Sequence, residues 1–380
     1  MNQTSTEKIQ TVLNTLKRVV IKIGTRVIDD EKTRFNLPIM TAIVRDIALL
    51  KEKGVEVLLV SSGAVGMGLR KLNIPKRPAS IHLRQAYAAV GQNQLMNMYS
   101  DLLTPYGIIP AQILLTRSDL DRRESYLNAK EALTHLLTMG ILPIINENDT
   151  VSIKELKFGD NDSLAALVAG KLDADLLILL TSVDGVFRSF DPKTKTGELI
   201  DVINEESDDV FSHIHQKVDA FSMGGMQSKI EAGKAACARG VVVAIANGLR
   251  PGIITDLLTG EAPASWMIPS KKRLPSWKYY LAFAKRPSGG KIVVDDGAVQ
   301  ALKSQGKSLL ASGIKSIEGH FHEKELVQVF DIQGHEIARG LVNYPSEDLA
   351  RIKGSSYDSA LPRGERLKTV IHRNNLVLVE

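Results

Sequence analysis

Apolar residues in this chain fall alternately into short unbroken runs and into helical spacings. Residues 19–25, Val-Val-Ile-Lys-Ile-Gly-Thr, form a largely β-branched run with one lysine near its carboxyl end and a closing glycine. Such a run predicts a buried strand. Pro38 then opens a helix with Ile39, Ile43, Ile47 and Leu50 on one face, Gly54 ends it, and residues 55–60 return as a strand. Strand, helix and strand in this order predict a right-handed crossover within a parallel sheet. The alternation continues with a helix over 80–103 and strands over 108–115 and 141–145. A helix over 119–139 lies between those strands, with Leu133, Leu136 and Leu137 inward. A short helix over 164–169, an apolar strand over 176–180, a polar excursion over 191–197, a helix over 230–239 and a strand over 241–246 follow, and Asn247-Gly248 turns the last of these. From about 292 the texture changes to short β segments at 292–294, 326–330 and 369–376, with frequent glycine and one helix over 296–305. The pattern predicts an α/β domain with a mainly parallel sheet over 1–265, a linker over 266–290 and a small mostly-β domain over 291–380.

Composition narrows this picture. The 380 residues are 44% hydrophobic and 24% charged, which is ordinary for globular chains, and only 5% aromatic, so the core should be aliphatic. The single cysteine, Cys237, excludes a disulfide framework and reads as core on a predicted helix. No apolar run reaches membrane-spanning length and the amino terminus lacks a basic-then-apolar leader, so the cytoplasm is the expected compartment. The formal charge of +5 is unevenly placed: residues 271–291 hold seven basic residues and no acid. The remainder is close to neutral, with 30 Lys and Arg against 31 Asp and Glu before that segment and 11 against 12 after it. An RNA-binding role would have to rest on that one segment and the small domain beside it, and no aromatic-rich basic patch accompanies them. RNA is therefore not the expected partner.

Four of the polar clusters that carry chemistry follow predicted strands: residues 22–25, 61–68, 146–150 and 181–185. Lys22 precedes Gly24, and residues 61–68, Ser-Ser-Gly-Ala-Val-Gly-Met-Gly, form a glycine-rich turn opening a helix. Asn146-Glu-Asn-Asp-Thr150 follows one strand, Asp160-Asn-Asp162 stands soon after, and Thr181-Ser182 ends another strand. Residues 222–229, Ser-Met-Gly-Gly-Met-Gln-Ser-Lys, read as a loop before the helix at 230, suited to cradling phosphate. In an open α/β sheet, ligands sit off the carboxyl ends of the strands. Lys22 and Lys229 supply cations, Gly63 and Gly224-Gly225 allow close backbone approach, and Asp149, Asp160 and Asp162 supply carboxylates. Lysines with glycine turns suit a polyphosphate, and the acids suit a metal or an amine. Phosphoryl transfer needs little beyond positioning and charge neutralisation. No G-x-x-x-x-G-K-[ST] loop, no protein-kinase signature, no dinucleotide G-x-G-x-x-G after the first strand and no zinc spacing is present. A different nucleotide fold is implied.

Lys22-Ile-Gly-Thr25, Val60-Ser-Ser-Gly-Ala64, Ile145-Asn-Glu-Asn-Asp149, Gly159-Asp-Asn-Asp162 and Gly224-Gly-Met-Gln-Ser-Lys229, in this order, resemble the amino-acid kinase family over about 15–255, and the tail from about 290 resembles a PUA domain. The resemblance implies a three-layer sandwich around the sheet. It also implies an ATP-dependent kinase acting on the side-chain carboxylate of L-glutamate, the first step of proline synthesis, with Mg2+ held through phosphates and not by protein ligands. By the same resemblance, Lys22 and Lys229 neutralise the transferred phosphoryl group and Asp162 holds the two lysines. Ser62, Asp149 and Asn161 bind glutamate, and Gly24 and Gly63 give amides to phosphate. Lys22, Gly24, Thr181, Ser182, Met223, Gly224, Gly225, Met226, Gln227, Ser228 and Lys229 line the ATP site. Feedback by proline, a dimer or tetramer, and handover to glutamate-5-semialdehyde dehydrogenase are further implications. The chain departs from the family pattern at Ser182, where aspartate is frequent, and at Met223 and Ser228, where threonine is frequent. These positions touch the nucleotide side of the site.

Overall fold

The computed structural model describes residues 3–29, 35–76, 78–151, 161–191, 196–203, 220–269, 290–355 and 369–379. The chain divides into two compact units, Met1–Arg273 and Leu274–Glu380.

In the first unit the strands are β1 (Arg18–Ile23), β2 (Glu56–Ser61), β3 (Pro110–Leu115), β4 (Leu142–Glu147), β5 (Leu176–Thr181), β6 (Phe187–Asp191), β7 (Thr196–Leu199), β8 (Val202–Ile203), β9 (Val242–Asn247) and β10 (Ala264–Met267). Eight of them form one sheet in the order β3-β4-β2-β1-β5-β9-β10-β8, and β6 and β7 pair as a hairpin. All neighbours in the sheet run parallel except β10 against β9. β1 lies at the centre with β2 on one side and β5 on the other, so successive crossovers leave it in opposite directions. That reversal places a crevice at its carboxyl end.

The central strands are apolar throughout because both faces of the sheet are covered. Val19, Ile21 and Ile23 join a core built with the helices Leu37–Glu52, Ile81–Leu103 and Ile253–Thr259. The helices Asn161–Lys171 and Ala220–Cys237 pack on each other and on β1, β5 and β9. Lys22 alternates with Ile21 and Ile23 and so projects toward the helix Asn161–Lys171.

Several expectations from the sequence change. The helix anticipated over 119–139 is two helices, Arg117–Asp121 and Arg123–Thr138, separated by extended backbone at Arg122. Thr116 and Asp119 form a reciprocal capping box that starts the first of them. The glycine-rich stretch 222–229 is not a loop before a helix but lies within the helix Ala220–Cys237. Two glycines cost a helix only about 1 kcal/mol each, and packing on Asn161–Lys171 offsets that. Trp266 and Met267, the first residues of the expected linker, are buried in β10. A helix Gln3–Asn14 precedes β1, with Ile9, Val12 and Leu13 on the first core.

The second unit has its own five-stranded sheet in the order β12-β11-β13-β14-β15, from β11 (Lys291–Val294), β12 (Ile314–Glu318), β13 (Leu326–Phe330), β14 (Glu336–Leu341) and β15 (Leu376–Leu378). The strand expected at 369–376 resolves into a bridge from Ile371 to Leu309, a 3-10 turn Arg373–Asn375 and then β15. Ile292, Val294, Val327, Val329, Ile337 and Leu349 fill a separate core. Among the described residues, no helix is long and apolar enough to cross a membrane.

Candidate active site

The site is assembled where β1, β2, β4 and β5 end. Lys22, next to last in β1, is buried. A buried ammonium needs a counter-charge, and Asp162 provides it: Lys22 Nζ stands 2.6 Å from Asp162 Oδ1. Lys229, in the third turn of the helix Ala220–Cys237, donates to Asp162 Oδ2 at 2.9 Å and to the carbonyl of Gly225 at 3.3 Å. One fully buried carboxylate thus bridges two ammonium groups from elements far apart in the chain. Burial alone would raise the Asp162 pKa, but the charges and hydrogen bonds of Lys22 and Lys229 outweigh it and hold the carboxyl below its ordinary range. With one carboxylate for two lysines, the cluster carries a net positive charge, a receptor for an anion.

Beside the lysines lies a cluster of amides. Asn161 opens the helix that carries Asp162, and its Nδ2 lies 2.7 Å from the carbonyl of Ser61, 2.9 Å from Ser62 Oγ and 2.9 Å from Asn146 Oδ1. Asn146 Oδ1 also accepts from the Glu147 backbone amide at 2.9 Å. Asn161 Oδ1 is buried and has no hydrogen-bond partner among the described residues. Asp149 is half-buried in the turn that follows β4.

The backbone turns around these groups explain the glycines. Gly63 adopts a left-handed conformation, φ 104°, at the cap of the helix Ala64–Lys71, a region that favours glycine. Gly24 donates to the carbonyl of Leu180, and a Cβ there would stand 3.7 Å from Lys22 Nζ, so glycine leaves that space beside the ammonium open. Thr181 ends β5 with Ser182 next to it, both half-buried, and the Thr181 carbonyl accepts from Gly248. Nearby, Asn247 Nδ2 donates to Asp184 Oδ1 at 2.9 Å, tying the end of β9 to the turn after β5. Met223 and Gly224 lie near the amino end of the helix that carries Lys229. Gly225 and Gln227 are exposed, Met226 and Ser228 half-buried, and Gln227 donates to Glu231 Oε1. Asp160 lies outside the described residues.

The structure therefore brings together Lys22, Lys229 and Asp162 as one group, with Ser62 and Asn161 as a second joined to it through the consecutive residues 161 and 162. Sequence reasoning missed the support behind them. Gln92 accepts from Asn146 Nδ2 at 2.8 Å, and the fully buried Tyr99, one helical repeat further along Ile81–Leu103, shares a hydrogen bond with Ser61 Oγ at 2.8 Å. Burial pushes the Tyr99 phenol up, against the lowering effect of Ser61, so it stays protonated and can donate. A glutamine and a tyrosine seven apart on a buried helical face was the available signal.

Comparison with known proteins adds the following. Residues 17–247 match the model of the amino acid kinase family, and residues 290–359 match that of the PUA domain. Glutamate 5-kinase of Caldanaerobacter subterraneus subsp. tengcongensis is 44% identical over 96% of this chain and 98% of its own length. Glutamate 5-kinase of Geobacter sulfurreducens is 41% identical over 97% of this chain and 99% of its own. Among solved structures, isopentenyl phosphate kinase is similar at a TM-score of 0.45 and 20% identity, covering 66% of this chain and 99% of that one.

Proposed function

The chain belongs to the amino acid kinase family, and from that premise we propose that it transfers the γ-phosphoryl group of ATP to the side-chain carboxylate of L-glutamate. The products are ADP and L-glutamyl 5-phosphate, the first step of proline synthesis. The observation that carries this reading is the lysine pair bridged by Asp162 immediately beside the Asn161 amide cluster. The pair suits a phosphoryl group in transit, and the cluster suits a small polar substrate.

The attacking carboxylate is ionised at neutral pH, so it needs no general base, and the site's residues act by position and charge. Lys22 and Lys229 approach from opposite sides of Asp162 and stabilise negative charge on the oxygens of the transferred group. Asp162 keeps both ammonium groups in place without consuming all of their charge. Ser62, Asn161 and Asp149 hold glutamate, the acid taking its ammonium group. Thr181, Ser182 and the segment 223–229 hold the nucleotide, and Gly24 and Gly63 lend backbone amides. Both Asp162 oxygens face ammonium groups. This cationic cluster fits phosphate oxygens, and Mg2+ held through the phosphates of ATP would supply further charge neutralisation. The enzyme is cytoplasmic, assembles as a homo-oligomer, is inhibited by proline at the glutamate pocket and passes its labile product to glutamate-5-semialdehyde dehydrogenase.

The test is ADP release with ATP and, in turn, glutamate, acetylglutamate, aspartate, carbamate and UMP, with and without proline. Turnover with glutamate well above the others is expected. Equal or faster turnover with any of the others would overturn the assignment of the acceptor.

A further inference from the structure

Behind the substrate cluster, four carboxamides stand in series from the surface inward. Gln112 is exposed on β3, and its Oε1 lies 3.3 Å from Gln92 Nε2. Gln92 Oε1 accepts from Asn146 Nδ2 at 2.8 Å, and Asn146 Oδ1 lies 2.9 Å from Asn161 Nδ2. Two backbone groups at the inner end fix the direction of this series. The Glu147 amide can only donate, so the Asn146 atom it meets must be the oxygen. The Ser61 carbonyl can only accept, so the Asn161 atom it meets must be the nitrogen. Asn146 then turns its NH2 outward, where it is buried and Gln92 is its acceptor. Asn161 turns its carbonyl oxygen away from the cluster, buried and without a partner among the described residues.

A buried acceptor without a donor is unfavourable until a ligand supplies one. On the reading that this pocket takes glutamate, the matching donor is an N–H of its α-ammonium group, shared with Asp149. We propose that Gln92, supported by Gln112, is a positioning residue that fixes the Asn161 carboxamide with its oxygen toward the substrate ammonium. Gln92 touches no substrate. It satisfies the Asn146 NH2, and without that acceptor Asn146 rotates to find another and withdraws its own oxygen from Asn161. Asn161 then loses one of three acceptors and its fixed orientation. The nucleotide contacts and the lysine pair lie outside the series.

The variants Gln92→Met and Gln112→Met test this, with steady-state kinetics in both substrates and thermal unfolding measured on the full chain. Gln92→Met keeps the side-chain volume and removes the acceptor. The expected result is a KM for glutamate raised by roughly 2- to 12-fold, the loss of about one hydrogen bond's net contribution, with kcat and the KM for ATP little changed. Gln112→Met, at an exposed position, is expected to raise the same KM by a smaller factor, and it carries the test alone if Gln92→Met does not fold. Leu95→Met, a packing change on the same helix, should leave all three constants in place. A fall in melting temperature with an unchanged KM for glutamate would show Gln92 to be packing alone. A rise in both KM values, with kcat falling, would equally overturn the proposal. If the unaltered chain shows no glutamate-dependent ADP release, the glutamate reading itself fails, and the role given to the Asn161 oxygen fails with it.

Discussion

At the scale of single residues, Asp162 decides what the site can do. A carboxylate in the first turn of a helix has an ordinary explanation as a cap, but the clustering of Asp160-Asn-Asp162 so soon after Asn146–Thr150 points instead to a shared site. Asp162 and Lys229 are 67 positions apart, so their pairing depends on the fold and not on local pattern. Replacing Lys22 or Lys229 by alanine removes one cation from the developing charge, and kcat should fall by about 10²- to 10³-fold, with circular dichroism unchanged. Asp162→Asn acts differently, because it leaves two buried ammonium groups without a counter-charge. Breaking such a group costs about 3–5 kcal/mol, so the variant should melt well below the unaltered protein at pH 7. Its pH dependence follows from the lowered carboxyl. A carboxylate with a depressed folded pKa contributes stability that is fully present above its unfolded value, near 3.8, and is lost as pH falls through the folded value. The gap in melting temperature between the two proteins should therefore hold from pH 7 down to about pH 4 and close only below that.

At the scale of elements, the apolar runs and helical spacings found the strands β1, β2, β4, β5 and β9 because each is buried on both faces and says so in composition. The pattern failed where side chains or packing, and not periodicity, set the boundary. The Thr116 and Asp119 box split one expected helix, and packing on a neighbour drew Gly224-Gly225 into another. Gly68 reads as part of a turn and Gly91 as the interior of the expected helix over 80–103, yet their role is a close helix crossing. A Cβ on Gly91 would come 1.8 Å from the Ala64 carbonyl oxygen and 2.3 Å from the Gly68 nitrogen, and one on Gly68 would come 1.8 Å from the Tyr87 carbonyl oxygen. Backbone atoms cannot yield as a side chain can, so the helices Ala64–Lys71 and Ile81–Leu103 approach this closely only through these glycines. Gly91 is followed by Gln92, and the first helix follows Ser62 and Gly63, so separating the helices disturbs both sides of the amide cluster. Gly91→Ala should cost at least about 1–3 kcal/mol, the usual range for overpacking, and should raise the KM for glutamate more than that for ATP. Thermal unfolding with two-substrate kinetics checks both statements.

At the scale of the molecule, the core under the helices Leu37–Glu52 and Ile81–Leu103 and the core on the sheet of β11 to β15 share no residue. Every described residue assigned here to phosphoryl transfer, to glutamate or to the nucleotide belongs to the unit Met1–Arg273. A unit with its own core and its own sheet has what independent folding requires. The first also holds the Gln112 to Asn161 series within its own strands and helices. A chain ending at Arg273 should therefore be soluble and cooperative in thermal unfolding. Its glutamate-dependent ADP release should have a kcat of the same order as the full chain. A changed elution volume, or a changed proline concentration at half rate, in the shortened chain would assign the second unit a part in assembly or inhibition. A shortened chain that folds yet does not turn over would place part of the catalytic machinery beyond residue 273 and overturn the assignment of the whole site to the first unit.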